Sequence, residues 1–143
     1  MQTFLPYKSF EKSAQCLDTK RLGKQRVEAV QILNTLLGFS TGWCNHPAVK
    51  MWRGHEGALL AYAAAICDEW LTHGYSNKEC GVRLASMTML RRAQLQATEA
   101  PPPWLGGHKF HASHRSNLLR KDAKWYGEFN WKEPADLPYV WPI

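Results

Sequence analysis

The sequence predicts an all-α protein for three reasons. Apolar residues recur at helical spacing, glycine and proline fall between those stretches, and no segment alternates apolar and polar residues as a strand does. The chain of 143 residues is 45% hydrophobic and 21% charged, which suits one globular domain with its own core. We therefore expect a single compact domain, residues 1–143, of three to five helices followed by an irregular aromatic C-terminal tail.

The first helical stretch begins after Ser9, since a serine followed by Glu11 is typical of an N-cap with an acidic first turn. We expect the stretch to bend near residues 18–19, to continue to Leu37 and to stop at Gly38. One face is apolar and the opposite face is polar. The apolar face consists of Leu22, Ala29, Val30, Leu33, Leu36 and Leu37, and the polar face of Lys24, Glu28, Gln31 and Thr35.

Polar groups on this stretch indicate a functional surface. Asp18, Arg21, Gln25 and Glu28 recur every three or four residues and therefore project from one side of a helix. Arg26 falls inside the apolar face, where a guanidinium needs a carboxylate, a phosphate or another acceptor. A solvated row of ion pairs explains the first pattern alone, but the inward arginine favours a lined cleft.

Further helices follow in order. Residues 45–47, Asn-His-Pro, are typical of a helix cap, and we expect a short helix from there to Arg53. Helical spacing from Glu56 to Gly74 predicts a central helix. Another helix is expected over residues 82–96, and the proline run at 100–103 must be extended. The last helix should begin near Ala112 or Ser113, end at about Lys121 and lead into the tail.

The charge balance favours a polyanionic partner. The chain carries a net charge of +6 and has a pI of about 9.3, and its basic residues are clustered. The clusters are Lys20, Arg21, Lys24 and Arg26; Arg83, Arg91 and Arg92; and Arg115, Arg120, Lys121 and Lys124. No apolar run is long enough for a membrane span, and no secretory signal is recognisable at the N-terminus, so we expect a cytoplasmic protein.

A metal site is not expected. The four cysteines form no C-x-x-C pair and are predicted to be reduced and mostly buried. His108, His111 and His114 are spaced by three, but no fourth ligand lies at a recognisable spacing. Phosphate binding or structural hydrogen bonding explains these histidines better than zinc does.

Three blocks of the sequence resemble the pyrimidine-dimer DNA glycosylase (phage-type endonuclease V) family. Residues 16–27, CLDTKRLGKQRV, are similar to its first-helix segment, with Arg21 and Arg26 at the two arginine positions. Residues 55–75, ending CDEWLTHGY, resemble its central helix, and residues 113–126, SHRSNLLRKDAKWY, its last helix and aromatic segment. The blocks keep the family's order and cover most of the chain.

The resemblance implies an all-helical domain whose N-terminus threads between helices toward the active site. Members of the family remove a damaged pyrimidine by attack of the N-terminal α-amine on the sugar, then cleave the strand by β-elimination through an imine. Such an amine suits this chemistry because α-amines have pKa values near 8 and are partly unprotonated at neutral pH. No cofactor is implied.

Two positions depart from the family pattern. The family presents threonine as its mature N-terminus, whereas Gln2 here should discourage removal of Met1, so the amine belongs to Met1. The family's essential helix glutamate falls on Gly23. Glu28 is the nearest acid on that side, and Asp18 is another possibility.

These considerations predict a monomeric base glycosylase and AP lyase acting on damaged or modified pyrimidines in duplex DNA. The predicted catalytic residues are Met1, Gln2 and Glu28, and the predicted DNA-binding residues are Arg21, Lys24, Gln25, Arg26, His114, Arg115, Lys121 and Trp125. Two alternatives stay open: a non-catalytic DNA-binding module of the same fold, and an enzyme acting on another modified base.

Overall fold

The computed structural model describes residues 1–75 and 100–143, and these residues are helical with no strand among them. The all-α prediction is confirmed. The helices are α1 (Phe10–Cys16), α2 (Thr19–Leu36), α3 (Pro47–Lys50), α4 (Glu56–Thr72), α5 (His108–Lys121) and α6 (Ala123–Tyr126), followed by a 3-10 turn (Gly127–Phe129). The described part thus holds six α-helices where three to five were expected, because α3 and α6 are single turns of four residues.

The break between α1 and α2 lies where the sequence predicted it. The Ser9 hydroxyl caps α1 by accepting from Lys12 N at 3.2 Å, and the chain becomes extended at Leu17. Asp18 begins α2, and its backbone N–H donates to the Tyr126 hydroxyl at 3.1 Å. That hydroxyl also makes a short hydrogen bond to the Asp18 carboxylate. The bend is therefore fixed from outside by an aromatic residue at the end of α6.

Helix α3 is shorter than expected. His46 rather than Asn45 is its N-cap, with Nδ1 accepting from Ala48 N at 3.0 Å. Beyond Met51 the hydrogen bonds connect residues three apart, as in Trp52 N to Val49 O at 3.2 Å, so the chain tightens into turns instead of reaching Arg53 as α-helix. Helix α4 follows as predicted.

The start of α5 was predicted too late. Its first residue is His108, four before Ala112, because Gly106 adopts a φ of 95° and Gly107 serves as N-cap. The histidines in this first turn gave a weak helix signal in the sequence. Its end at Lys121 agrees with the prediction, while the helix expected over residues 82–96 lies outside the described residues.

The core forms where α2 and α1 pack against α4. The N-terminal segment runs through this core, since Leu5 is completely buried and Phe4 is nearly so. The threaded N-terminus implied by the resemblance is therefore present. Besides Leu5, the largest fully buried apolar and aromatic side chains of the core are Leu22, Ile32, Leu33, Trp52, Leu59, Tyr62, Ile66, Leu118 and Tyr126.

Two histidines of α5 hold the backbone of Leu5. His114 Nδ1 accepts from Leu5 N at 2.9 Å, and His111 Nδ1 lies 2.7 Å from Leu5 O, with Nε2 accepting from Gly106 N at 2.9 Å. Because each ring accepts at one nitrogen, both imidazoles are neutral. Burial lowers the pKa of His111, and it lowers that of His114 to about 3 with help from His111. These two histidines therefore have a structural role as hydrogen-bond partners of the backbone.

The C-terminal tail is tied to α5 by polar contacts. Asn117 Nδ2 donates to Leu137 O at 3.0 Å, and Ser116 donates a short hydrogen bond to Pro134 O. Arg115 pairs with Glu133 at 2.5 Å and donates to Pro6 O at 2.7 Å. The tail is irregular, as expected, but it is a fixed part of the fold.

Two of the described cysteines differ from the sequence expectation. Cys16 is a buried free thiol, whereas Cys44 is free but exposed and Cys67 is disulfide-bonded. Sequence separation gave no information on this because pairing depends on where the fold places the side chains. Within residues 1–75 and 100–143, no helix is long and apolar enough to cross a membrane.

We expect His114→Gln to remove part of the acid sensitivity of the fold. Because the folded-state pKa of His114 is about 3, protonation favours the unfolded chain, whose histidine titrates near 6.5. The contribution of His114 to the free energy of unfolding of the wild type should have its full value above pH 6.5. It should decrease as the pH falls toward 3, by up to about 1.4 kcal/mol per pH unit.

Urea unfolding across this pH range measures the difference. His108→Gln, an exposed position on the same helix, is the matched control and should follow the wild type. A His114→Gln protein with the same pH slope as the wild type would contradict the assignment of a buried neutral imidazole.

Candidate active site

A cleft of about 340 Å³ opens beside the start of the chain. It is bounded by the N-terminal segment, α2, the end of α5 and the C-terminal tail. Its lining residues are Met1, Gln2, Phe4, Lys20, Arg21, Lys24, Glu28, Lys121 and Tyr139. The cleft therefore joins the chain terminus to the polar side of α2.

Glu28 is the one carboxylate among these lining residues, and it contacts the N-terminal segment directly. The backbone N–H of Gln2 donates to Glu28 Oε2 at 3.3 Å. This contact places the carboxylate one residue from the chain's terminal amine, and Met1 lines the same cleft. An amine and a carboxylate in one cavity form a pair suited to nucleophilic attack with proton transfer.

Gln25 holds both the N-terminal backbone and the Glu28 carboxylate from the interior of the protein. It is fully buried, and its Oε1 accepts from Phe4 N at 2.9 Å. Its Nε2 donates to Gln2 O at 2.7 Å and to Glu28 Oε2 at 3.2 Å. The Tyr62 hydroxyl lies 2.6 Å from Gln25 Oε1 and 3.0 Å from Phe4 O, and burial raises its pKa well above the usual value. One amide thus fixes the N-terminal backbone relative to Glu28.

Basic side chains surround the rest of the cleft: Lys20, Arg21, Lys24 and Lys121. Arg21 forms an ion pair with Asp18 at 3.1 Å. Partial burial lowers the pKa of Lys121, and the charges of Arg21, Arg120 and Lys24 lower it further. Four cations against one lining carboxylate give the cleft a positive potential that suits phosphate groups.

The family model for pyrimidine dimer DNA glycosylases matches residues 1–80, which is more than half of the chain and includes α1 to α4. The chain belongs to this family. Membership supports a DNA repair glycosylase whose substrate is DNA with damaged pyrimidines. No curated protein and no solved structure is detectably similar to the chain.

The structure gives a physical reason for a glycine at position 23, where the sequence resemblance places the family's helix glutamate. A Cβ at Gly23 would lie 3.2 Å from Cζ3 and 3.3 Å from Cη2 of the Trp70 indole. Position 23 therefore faces a tryptophan of α4, and any larger side chain there would require the indole to shift by a few tenths of an ångström. The carboxylate among the residues that line the cleft is Glu28, five residues further along α2.

The predicted site residues separate into three groups. Met1, Gln2, Glu28, Arg21, Lys24 and Lys121 all line the cleft. Gln25 and His114 lie in the interior, with exposed fractions of 0% and 1%, so neither side chain can contact DNA in this conformation. Both instead bind the backbone of the N-terminal segment, which is a positioning role.

Three predicted DNA-binding residues lie away from the cleft lining. The Arg26 guanidinium carbon lies 4.9 Å from the centre of the Trp70 ring. This inward-facing arginine therefore makes a cation–π contact with an aromatic ring. The Arg115 guanidinium forms an ion pair with Glu133 and donates a hydrogen bond to Pro6 O. Trp125 is half exposed, and its indole N–H donates to Cys16 O at 2.9 Å.

Sequence reasoning missed two aromatic members of the cleft, Phe4 and Tyr139. Tyr139 comes from the tail, where the sequence shows no periodicity to place it. Lys20 was recognised as part of a basic cluster but not as a site residue. The described residues contain no group of three or more His, Cys, Asp or Glu side chains that could hold a metal ion.

We expect Gln25→Leu to destabilise the protein by about 3 kcal/mol. The change keeps the side chain's size but leaves Phe4 N, Gln2 O and the Tyr62 hydroxyl with fewer hydrogen-bond partners inside the core. The free energy of unfolding in urea measures the loss. Gln31→Leu makes the same substitution at an exposed site on α2 and should cost far less. Equal losses would contradict the stabilising role of the Gln25 hydrogen bonds.

Proposed function

We propose that the protein is a DNA glycosylase and AP lyase that uses the α-amine of Met1 as its nucleophile. The observation that carries this proposal is the hydrogen bond from Gln2 N to Glu28 Oε2, which fixes the chain terminus beside a carboxylate in a basic cleft. A terminus that was buried elsewhere, or free in solvent, would not support this chemistry.

In the proposed reaction the amine nitrogen attacks C1′ of the damaged nucleotide. The glycosidic C–N bond breaks, and the base leaves with a proton. Opening of the sugar ring gives an imine between the protein and C1′. Loss of a C2′ proton then expels the 3′ phosphate by β-elimination, and water releases the cleaved DNA from the amine.

Glu28 is the group proposed to move protons and to stabilise positive charge on the opening sugar. Its carboxylate is held by Gln2 N and by Gln25 Nε2 at 3.2 Å, so it does not need to reorganise when substrate binds. Two other carboxylates, Asp18 and Glu56, are engaged elsewhere. Asp18 is bonded to Tyr126 and Arg21, and Glu56 accepts from Gly54 N at 3.0 Å.

The basic lining residues are proposed to hold the phosphates on either side of the damaged nucleotide. Lys20, Arg21 and Lys24 lie on one helix, α2, and Lys121 lies at the end of α5. Two helices thus contribute charge to the cleft, an arrangement that lets a bent backbone be gripped on both sides of one nucleotide. No cofactor takes part in the proposed steps.

Blocking the α-amine should abolish imine formation. We expect a protein with an uncleaved N-terminal extension to trap abasic duplex with borohydride at least a hundredfold less than the native chain, because the nucleophile is then an amide. The matched control carries the same extension with a protease site, and cleavage to expose Met1 should restore trapping. Equal trapping by the extended protein would assign the nucleophile to a lysine.

Glu28→Gln should slow single-turnover cleavage of abasic duplex by roughly a hundredfold or more, the usual scale for a positioned general acid or base. The substitution keeps the side chain's size, so DNA affinity should change little. Glu128→Gln, an exposed site in the 3-10 turn, is the control and should be fully active. Undiminished activity of Glu28→Gln would move the role to Asp18 or Glu56.

The same assays address the two alternatives. A wild type that binds duplex DNA but forms no imine and releases no base would be a DNA-binding module of this fold. A wild type that forms an imine on abasic DNA, yet is inactive on pyrimidine dimers, would act on another modified base, and a panel of lesion duplexes identifies it.

A further inference from the structure

A row of aromatic rings runs from the protein surface to the cleft. The rings of Trp43 and His46 are 5.8 Å apart, those of His46 and Trp141 are 5.9 Å apart, and those of Trp141 and Tyr139 are 5.6 Å apart. Tyr139 lines the cleft together with Met1 and Glu28. We call these four residues the aromatic row.

Trp43, at the outer end of the row, combines exposure with an unfavourable backbone. Its side chain is 60% exposed, and its φ of 64° lies in the left-handed region that bulky residues rarely adopt. Burial of the indole does not compensate for the energetic cost of this backbone conformation, because the ring is mostly in solvent. Such outliers cluster at functional sites, where the surrounding structure holds them.

The loop that carries Trp43 is held by hydrogen bonds on both sides. The Thr35 hydroxyl donates to Gly42 O at 2.8 Å, and Arg53 Nη2 donates to Cys44 O at 3.3 Å. His46 N donates to the carbonyl of Trp43 itself at 2.8 Å. The indole is therefore presented in a defined position, which lowers the entropy lost when a ligand stacks on it.

The electrostatics of the row connect it to the cleft. Burial lowers the pKa of His46, and the charge of the N-terminal amine lowers it further, while Glu28 acts in the opposite direction. The imidazole between the two tryptophans is thus favoured in its neutral form, and Nδ1 is already occupied by Ala48 N. Neutral aromatic faces beside a basic cleft match a nucleic acid, whose bases stack while its phosphates bind cations.

We propose that Trp43 stacks on a nucleobase of the bound DNA, the base that flanks the nucleotide held in the cleft. This inference rests on the proposed function for the identity of the cleft nucleotide. The continuity of the row with the cleft selects a flanking base of the same DNA over an unrelated ligand, and the cations at Lys20, Arg21 and Lys24 supply the backbone contacts.

Binding to a duplex with one non-cleavable abasic analogue tests the proposal without requiring chemistry. We expect Trp43→Ala to weaken binding by about tenfold or more and Trp43→Phe to retain most of the affinity. The dependence of log affinity on log salt should keep its slope in Trp43→Ala, since no phosphate contact is lost. Phe129→Ala removes another partly exposed aromatic, outside the row, and should bind as the wild type does.

A second duplex removes the flanking base as well, on the 5′ side in one version and on the 3′ side in the other. If Trp43 stacks on that base, the loss caused by Trp43→Ala should disappear in one of the two versions. Thermal unfolding of each variant checks that the exposed substitution leaves the fold intact.

The proposal is overturned if Trp43→Ala binds the first duplex like the wild type. It is also overturned if the loss persists undiminished in both versions of the second duplex, or if Phe129→Ala is equally impaired. Failure of the proposed function is distinguishable: the wild type would then trap no abasic DNA, whatever Trp43→Ala does to binding. A wild type that traps DNA while Trp43→Ala binds normally would refute the aromatic row alone.

Discussion

The buried amide of Gln25 is the constraint on which the candidate site depends. An extended N-terminal segment has backbone groups that helices cannot satisfy, and inside a protein each unpaired group costs free energy. Gln25 satisfies two of them, Phe4 N and Gln2 O, while Tyr62 reaches Phe4 O. The same amide also donates to Glu28. One side chain therefore both holds the segment in place and orients the Glu28 carboxylate.

A second set of hydrogen bonds holds the N-terminal segment one residue further along, and its side chains come from α5. His114 and His111 bind the two backbone groups of Leu5, and Arg115 binds Pro6 O. The C-terminal tail packs on this helix and returns to the cleft through Tyr139. Residues more than 100 positions apart thus position the terminal amine together, and the matched region 1–80 does not contain the whole site.

The two sides of α2 near Gly23 and Glu28 face different surroundings. Trp70 occupies the space beside Gly23, and Arg26 stacks on the same indole. The side of α2 that faces α4 is thereby filled with aromatic packing. Glu28 lies one helical turn beyond Lys24 on the side of the cleft, where a carboxylate stays accessible and reaches Gln2 N. Different side chains of α2 thus pack against α4 and line the cleft.

Local rules were sufficient for much of the helical framework. The Ser9 cap, the stops at Gly38 and Gly74 and the span of α4 all follow from residue types that act within one or two turns. The basic character of α2 and the presence of Glu28 on it were likewise visible in the sequence. The start of α5 was not, because its glycine cap and histidine-rich first turn give weak local signals.

The sequence by itself therefore determined the helical class, the family resemblance and most of the residues that line the cleft. Only the tertiary structure decided which polar residues face the cleft and which face inward. Gln25 and Glu28 share one side of a helix, yet one is buried among Phe4 and Tyr62 while the other lines the cavity. That difference depends on contacts between distant segments, and periodicity along one helix carries no information about what packs against it.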